Sequence, residues 1–161
     1  MTHSIAIALH ALAAFVWLFL SDAPSFGTFL VGIVFGLALL FLFRDLFQAR
    51  AYLKKWSAGI RLLLVFLRAF VQSNAVIAWA VLTRRADNIH PRFLTYDISH
   101  LSTLEILLLT HCVTLTPGTT SVDVSADKRE LIIHAFDGDN PEAVRQGIRN
   151  ELEAAILRFT R

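Results

Sequence analysis

Between Phe26 and Phe43 the chain carries no charged side chain. A helix built from this stretch is apolar all round, and its length approaches the ~20 residues that cross a hydrocarbon core of about 30 Å. Just upstream, Ile5 to Leu20 is apolar except for His10, and with its flanks it also reaches about 20 residues. Only Ser21-Asp22-Ala23-Pro24-Ser25 separates the two runs. A hairpin of two helices in lipid satisfies both the apolarity and the short turn. A removable signal peptide is the competing reading of the first run, but it needs a basic start and a small-residue cleavage site. Thr2, His3 and Ser4 precede the run and a second run follows at once, so the first is read as a retained span.

The rest of the composition agrees. Hydrophobic residues make up 55% of 161, mean hydropathy is +0.57, and the apolar residues concentrate before residue 83. There is room for a membrane anchor and one small domain. The second run contains Gly32-x-x-x-Gly36, a stripe without side chains that lets another helix approach closely. That helix is either the first span of the same chain or one from another protein. His10 is read as lying near a helix end or bonded to a neighbouring helix, with proton carriage as the alternative.

Arg44, Arg50, Lys54 and Lys55 follow the second run, whereas the 21–25 turn has no Lys or Arg. The basic loop marks the cytoplasmic side, which places the turn outside and the N-terminus inside. The formal net charge is only +2. The basic residues cluster beside apolar segments, so they indicate topology and lipid headgroups rather than nucleic acid. Residues 56–82 are apolar but interrupted by Arg61, Arg68 and Gln72, which share one helical face with Lys54 and Ser57. Arg84-Arg85 through Arg92 is basic again. A third crossing would put that cluster outside, so an amphipathic helix at the cytoplasmic leaflet is preferred. A full third span with its arginines facing partner subunits is the alternative.

The 86–91 stretch, ending in Pro91, is the expected domain boundary. Phe93 to Ile98 alternates as a short strand. Ser102-Thr103-Leu104-Glu105 has the form of a capping box and starts a helix to about Leu115. Pro117-Gly118 turns the chain, and Gly118 is expected at positive φ. Ser121–Ser125 and Leu131–Phe136 then read as a hairpin around Asp127-Lys128, with Val122 and Val124 facing the second strand's apolar residues. Pro141 opens a last helix with Val144, Ile148, Leu152, Ala155, Ile156 and Phe159 inward and Glu142, Arg145, Arg149, Glu153 and Arg158 outward. The expected fold is thus a membrane protein of α+β class. Its membrane region is 1–85, with spans at about 5–21 and 26–43 and an amphipathic or third membrane helix at about 56–82. A β-α-β-β-α cytoplasmic domain fills 92–161.

No catalytic arrangement is legible, so no enzyme is expected. His100, His111, His134 and Cys112 match no metal-ligand spacing and read as structural, and the lone Cys112 as a buried thiol. Asp123, Asp127, Glu130 and Asp137 read as turn and strand-end carboxylates. Thr114, Thr116, Thr119, Thr120 and Ser121 lack the glycines and lysine of a phosphate loop and read as capping residues. No cofactor or metal is expected.

Two short spans, a basic loop and a leucine-rich helix are followed by Leu115-Thr116-Pro117-Gly118-Thr119 and His134-Ala135-Phe136-Asp137. This order resembles the E subunit of the bacterial multisubunit cation/proton antiporters of the Mrp, Mnh and Pha type, over nearly the whole chain. The resemblance implies a small accessory subunit of an inner-membrane complex that exchanges sodium or potassium for protons. Its partners would be large complex-I-like subunits, small membrane subunits and the bilayer. The residues point the same way independently, because neither span carries Asp, Glu, Lys or Arg and an ion path needs such groups at depth. A stand-alone membrane-anchored sensor with a ligand-binding tail is the other reading.

Overall fold

The computed structural model describes residues 2–83, 85 and 89–161. Arg84 and residues 86–88, part of the expected basic boundary, lie outside the described residues. The elements run α1 (Thr2–Leu20), α2 (Phe26–Leu42), α3 (Arg50–Thr83), β1 (Arg92–Asp97), α4 (Thr103–Leu115), β2 (Thr119–Val124), β3 (Glu130–Ala135), α5 (Pro141–Gly147), a π-helical turn (Ile148–Glu153) and α6 (Ala154–Thr160). They divide into two compact units, Met1–Ser57 and Ala58–Arg161. The division falls inside α3 rather than in the 86–91 stretch. Ala69 of α3 belongs to the apolar core of the second unit and Leu62 packs against it.

In the first unit α1 and α2 are antiparallel: Gly32 lies against Ala14 and Trp17, and Gly36 against His10 and Ala13. Ser25 caps α2, its hydroxyl accepting the Thr28 N–H at 3.1 Å. Helical bonding continues beyond α2, with Phe43 N–H donating to Leu39 and Phe47 N–H to Phe43. The helix expected from about 56 already begins at Arg50, so Arg50, Lys54 and Lys55 sit on a helix rather than in a loop. Ala6, Leu40, Ala49 and Tyr52 form a small buried cluster. Among the described residues α3 is the one helix long and apolar enough, by length and composition, to cross a membrane; Ser4–Leu20 and Phe26–Leu42 are shorter apolar helices.

The second unit is mixed helix and sheet. Its three strands are antiparallel in the order β1-β3-β2. Leu94 and Tyr96 of β1 and Leu131, Ile133 and Ala135 of β3 are buried, as period-2 alternation requires of a sheet covered on one face. Ile106, Leu109 and Val113 of α4 and Ile148, Leu152 and Ile156 of the last helix complete the core. The capping box forms: the Ser102 hydroxyl accepts the Glu105 N–H and the Glu105 carboxylate accepts the Ser102 N–H.

Two sequence expectations fail here. Val122 does not face β3. A bulge between Ser121 and Asp123 removes it from the register and leaves it 53% exposed. The inward positions of β2 carry hydroxyls because they serve α4: Thr119 Oγ1 donates to the Val113 carbonyl and Ser121 Oγ to the Thr110 carbonyl. Glu153 is not outside. It is buried and accepts hydrogen bonds from the Tyr96 hydroxyl at 2.7 Å and from His100 Nε2 at 3.0 Å. The π-helical turn ends on Glu153; its wider winding retards the helical phase, which moves that residue inward.

Candidate functional site

His10 sits where α1, α2 and the first turns of α3 meet. Its Nε2 lies 2.9 Å from the Ile33 carbonyl, which can only accept, so that nitrogen carries the hydrogen. In the neutral ring Nδ1 then accepts from the Tyr52 hydroxyl. Trp56 stands edge-on to the same ring, centroids 5.5 Å apart. Both ring nitrogens are therefore engaged in a buried contact between helices. The Gly32/Gly36 stripe is turned to α1, not to open space. A Cβ at Gly36 would lie 2.7 Å from His10 Cδ2, and one at Gly32 2.8 Å from the Ala14 carbonyl oxygen.

Along α3 from Ala58 onward, two faces differ. One is turned to the α+β domain: Gly59 lies against the Phe159 ring, Ala69 enters the core, and Ile77 lies against Gly118. The other exposes Ile60, Leu63, Leu64, Leu67, Val71 and Leu82. The polar stripe expected on this helix is split between two cavities. Arg61 and Arg68 line a cavity of about 220 Å³ together with Glu151 and Arg158. Gln72 lines a larger, mostly apolar one of about 680 Å³ between α3 and the domain.

The Pro117-Gly118 turn closes the far wall of that larger cavity. Gly118 adopts φ +96°, a region that side chains with a Cβ resist. Its carbonyl accepts the Phe136 N–H at 2.8 Å, while Thr119 pairs with Ala135 and Thr120 with His134. The stretches Leu115–Thr119 and His134–Asp137 are thus one piece of structure, and Pro117, Gly118, Phe136 and Asp137 all line the cavity.

Several polar residues of the tail have contacts within the domain. His111 Nδ1 lies 2.9 Å from the Leu107 carbonyl, His134 packs edge-on to Phe93, and burial pushes the Cys112 thiol up. Burial and the neighbouring Glu153 raise Tyr96 beyond its ordinary range. The Arg161 guanidinium, the Ser102 N–H and the Thr160 hydroxyl lower Glu105 to about 2. Among the described residues, His90, Asp137 and Asp139 are close enough together to share a metal ion. His90 and Asp139 already pair at 3.1 Å across the surface. Sequence reasoning missed Tyr96, Glu153 and His90; none sits in a motif, and only the folded register brings each to its partner.

Residues 10–159 match the MNHE family, described as Na+/H+ ion antiporter subunit. The chain belongs to this family. It is 35% identical over 155 residues to the E subunit of the Na(+)/H(+) antiporter of Bacillus subtilis (strain 168), covering 96% of this chain and 98% of the relative. It is 31% identical to the E1 subunit of the Na(+)/H(+) antiporter of Staphylococcus haemolyticus (strain JCSC1435), covering 95% and 96%. Among solved structures, a chain of the Mrp complex from Dietzia sp. DQ12-45-1b is similar at a TM-score of 0.48 and 24% identity, covering 62% of this chain and 92% of that one. The E-subunit family is the one that the Leu115–Thr119 and His134–Asp137 stretches resemble, and in this member of it they form one wall.

Proposed function

We propose that this chain is the E subunit of a Na+/H+ antiporter complex and acts there as an accessory, structural subunit, needed for assembly rather than forming the ion path. The bonding of His10 carries the reading. It is the one ionisable side chain within the two apolar runs, and both of its nitrogens are held by the Ile33 carbonyl and the Tyr52 hydroxyl. A proton relay needs a titratable group on each side of the ring, and the Ile33 carbonyl on the Nε2 side passes no proton onward; this ring joins three helical segments. The partners are the large and small membrane subunits of the complex and the lipid bilayer.

In this reading the chain is a multi-pass protein of the bacterial inner membrane with α1 and α2 as spans and the C-terminal domain cytoplasmic. The part of α3 from about residue 56 to 82 lies at the cytoplasmic leaflet. A helix that touches the domain from Gly59 to Ile77, over roughly 27 Å, has one face already occupied, and its opposite face is apolar. That division suits a helix between a soluble domain and a membrane surface better than one surrounded by lipid.

The test uses an affinity-tagged full chain in mild detergent. Large polytopic proteins should co-purify with it, and His10→Gln complexes that assemble should retain Na+-dependent proton exchange. Assembled complexes that lose exchange would place His10 in the ion path. One observation favours a second reading, a stand-alone membrane-anchored binding module: the roughly 680 Å³ cavity beside α3 is of ligand size. A module of that kind would purify as a small oligomer without large partners.

A further inference from the structure

We propose that Arg61, Arg68 and Arg158 seat the phosphate of an anionic membrane phospholipid whose acyl chains lie along the exposed apolar stripe of α3. The proposal rests on the reading that this part of α3 lies at the membrane surface. The three arginines line one cavity of about 220 Å³, into which Glu151 brings the single opposing charge. Arg50, Arg129, Arg145 and Arg161 each pair with a carboxylate. Among the described residues Arg61, Arg68 and Arg158 have no such partner, although Glu151 stands in the same cavity. Three arginines and one carboxylate around a single small concavity leave an excess of positive charge there, which an anion offsets. Guanidinium groups present planar donors that match phosphate oxygens.

The neighbouring surface identifies the source of the phosphate. Arg61 and Arg68 are two turns apart on α3 and so share one side of it. That side borders the stripe of Ile60, Leu64, Leu67 and Val71, of which Leu64 is 60% and Val71 63% exposed. A soluble phosphate compound would use the arginines and leave the stripe in water. A phospholipid satisfies both, with its headgroup between α3 and α6 and its chains on the apolar face.

The experiment uses the full chain, purified in mild detergent and given phosphatidylglycerol, with retained lipid counted by native mass spectrometry. Wild type should hold the lipid against an excess of glycerol phosphate. The Arg61→Gln/Arg68→Gln/Arg158→Gln variant should retain it at least about tenfold less well, the triple Lys variant should retain part of it, and Arg129→Gln should match wild type. The three side chains are exposed and unpaired, and circular dichroism checks that each variant folds. In parallel, a fluorophore at Leu64→Cys, in a Cys112→Ala chain, is exposed to lipids with quencher-labelled acyl chains. Quenching together with loss of lipid in the triple Gln variant supports the proposal. Quenching with unchanged retention overturns the phosphate seat and leaves the membrane-surface reading standing. An unquenched probe overturns that reading and the proposal with it. Displacement of the lipid by glycerol phosphate alone would make the site one for a soluble anion and would also overturn it.

Discussion

The carboxylate of Glu105 accepts hydrogen bonds from the Ser102 N–H, the Thr160 hydroxyl and the guanidinium of Arg161. It closes the N-terminus of α4 and holds the end of α6 to it. Its ionised form is favoured first by Arg161, then by the Ser102 N–H and the Thr160 hydroxyl, so its pKa falls to about 2. The folded value lies below the ordinary carboxylate value. Its contribution to stability is therefore complete above about pH 5 and is lost as the pH falls toward about 2. Glu105→Gln should cost about 2 kcal/mol at neutral pH, since bonds to an ionised acceptor are lost. For a domain of this size that lowers the unfolding midpoint by about 10 °C. The same change should flatten the decline in midpoint between about pH 5 and pH 2. Thermal unfolding of the full chain in detergent, followed by near-UV circular dichroism across that range, checks both. Parallel curves for wild type and variant would show that the carboxylate contributes nothing there.

At the scale of elements, the α1–α2 contact depends on atoms that have nowhere to move. A Leu at Gly36 would drive its Cβ to 2.7 Å from the His10 ring and 3.3 Å from the His10 carbonyl oxygen. The helices must then separate, which costs about 1–3 kcal/mol by overpacking. Insertion should be unaffected, since Gly36→Leu raises apolarity. The variant should reach the membrane at wild-type level but unfold at a lower temperature in detergent; an unchanged midpoint would mean that Gly36 does not carry the contact. Much at this scale was legible beforehand. Ser102 and Glu105, Pro141, and Gly118 with its positive φ act through local geometry that a few adjacent residues determine. Helical faces were legible only while the winding stayed regular. Counting at 3.6 residues per turn placed Glu153 outside because it could not register the π-helical turn. Counting by twos placed Val122 inside because it could not register the bulge. Arg61, Arg68 and Gln72 of α3 line two separate cavities, and the neighbours Glu151 and Arg158 come from the end of the chain, beyond the reach of periodicity.

For the whole molecule the decisive measurement is sidedness. Cysteine probes at Ser25, Ser57 and Asn140, in a Cys112→Ala chain, should divide: an impermeant reagent outside the cell should label Ser25 and miss the other two. Labelling of Asn140 from outside would establish a third crossing and remove α3 from the cytoplasmic surface. The contacts of His10 also have a consequence for the order in which the molecule is made. Its partners lie 23 and 42 positions further along the chain. When α1 is complete, the histidine has neither of them. Once α2 is made it has the Ile33 carbonyl, and Tyr52 comes last, close to the end of the first unit at Ser57. A chain halted after residue 45 would hold both apolar helices yet leave one imidazole nitrogen without its hydroxyl. The hairpin alone is therefore an unfinished piece, sealed by the residues that lead out of it.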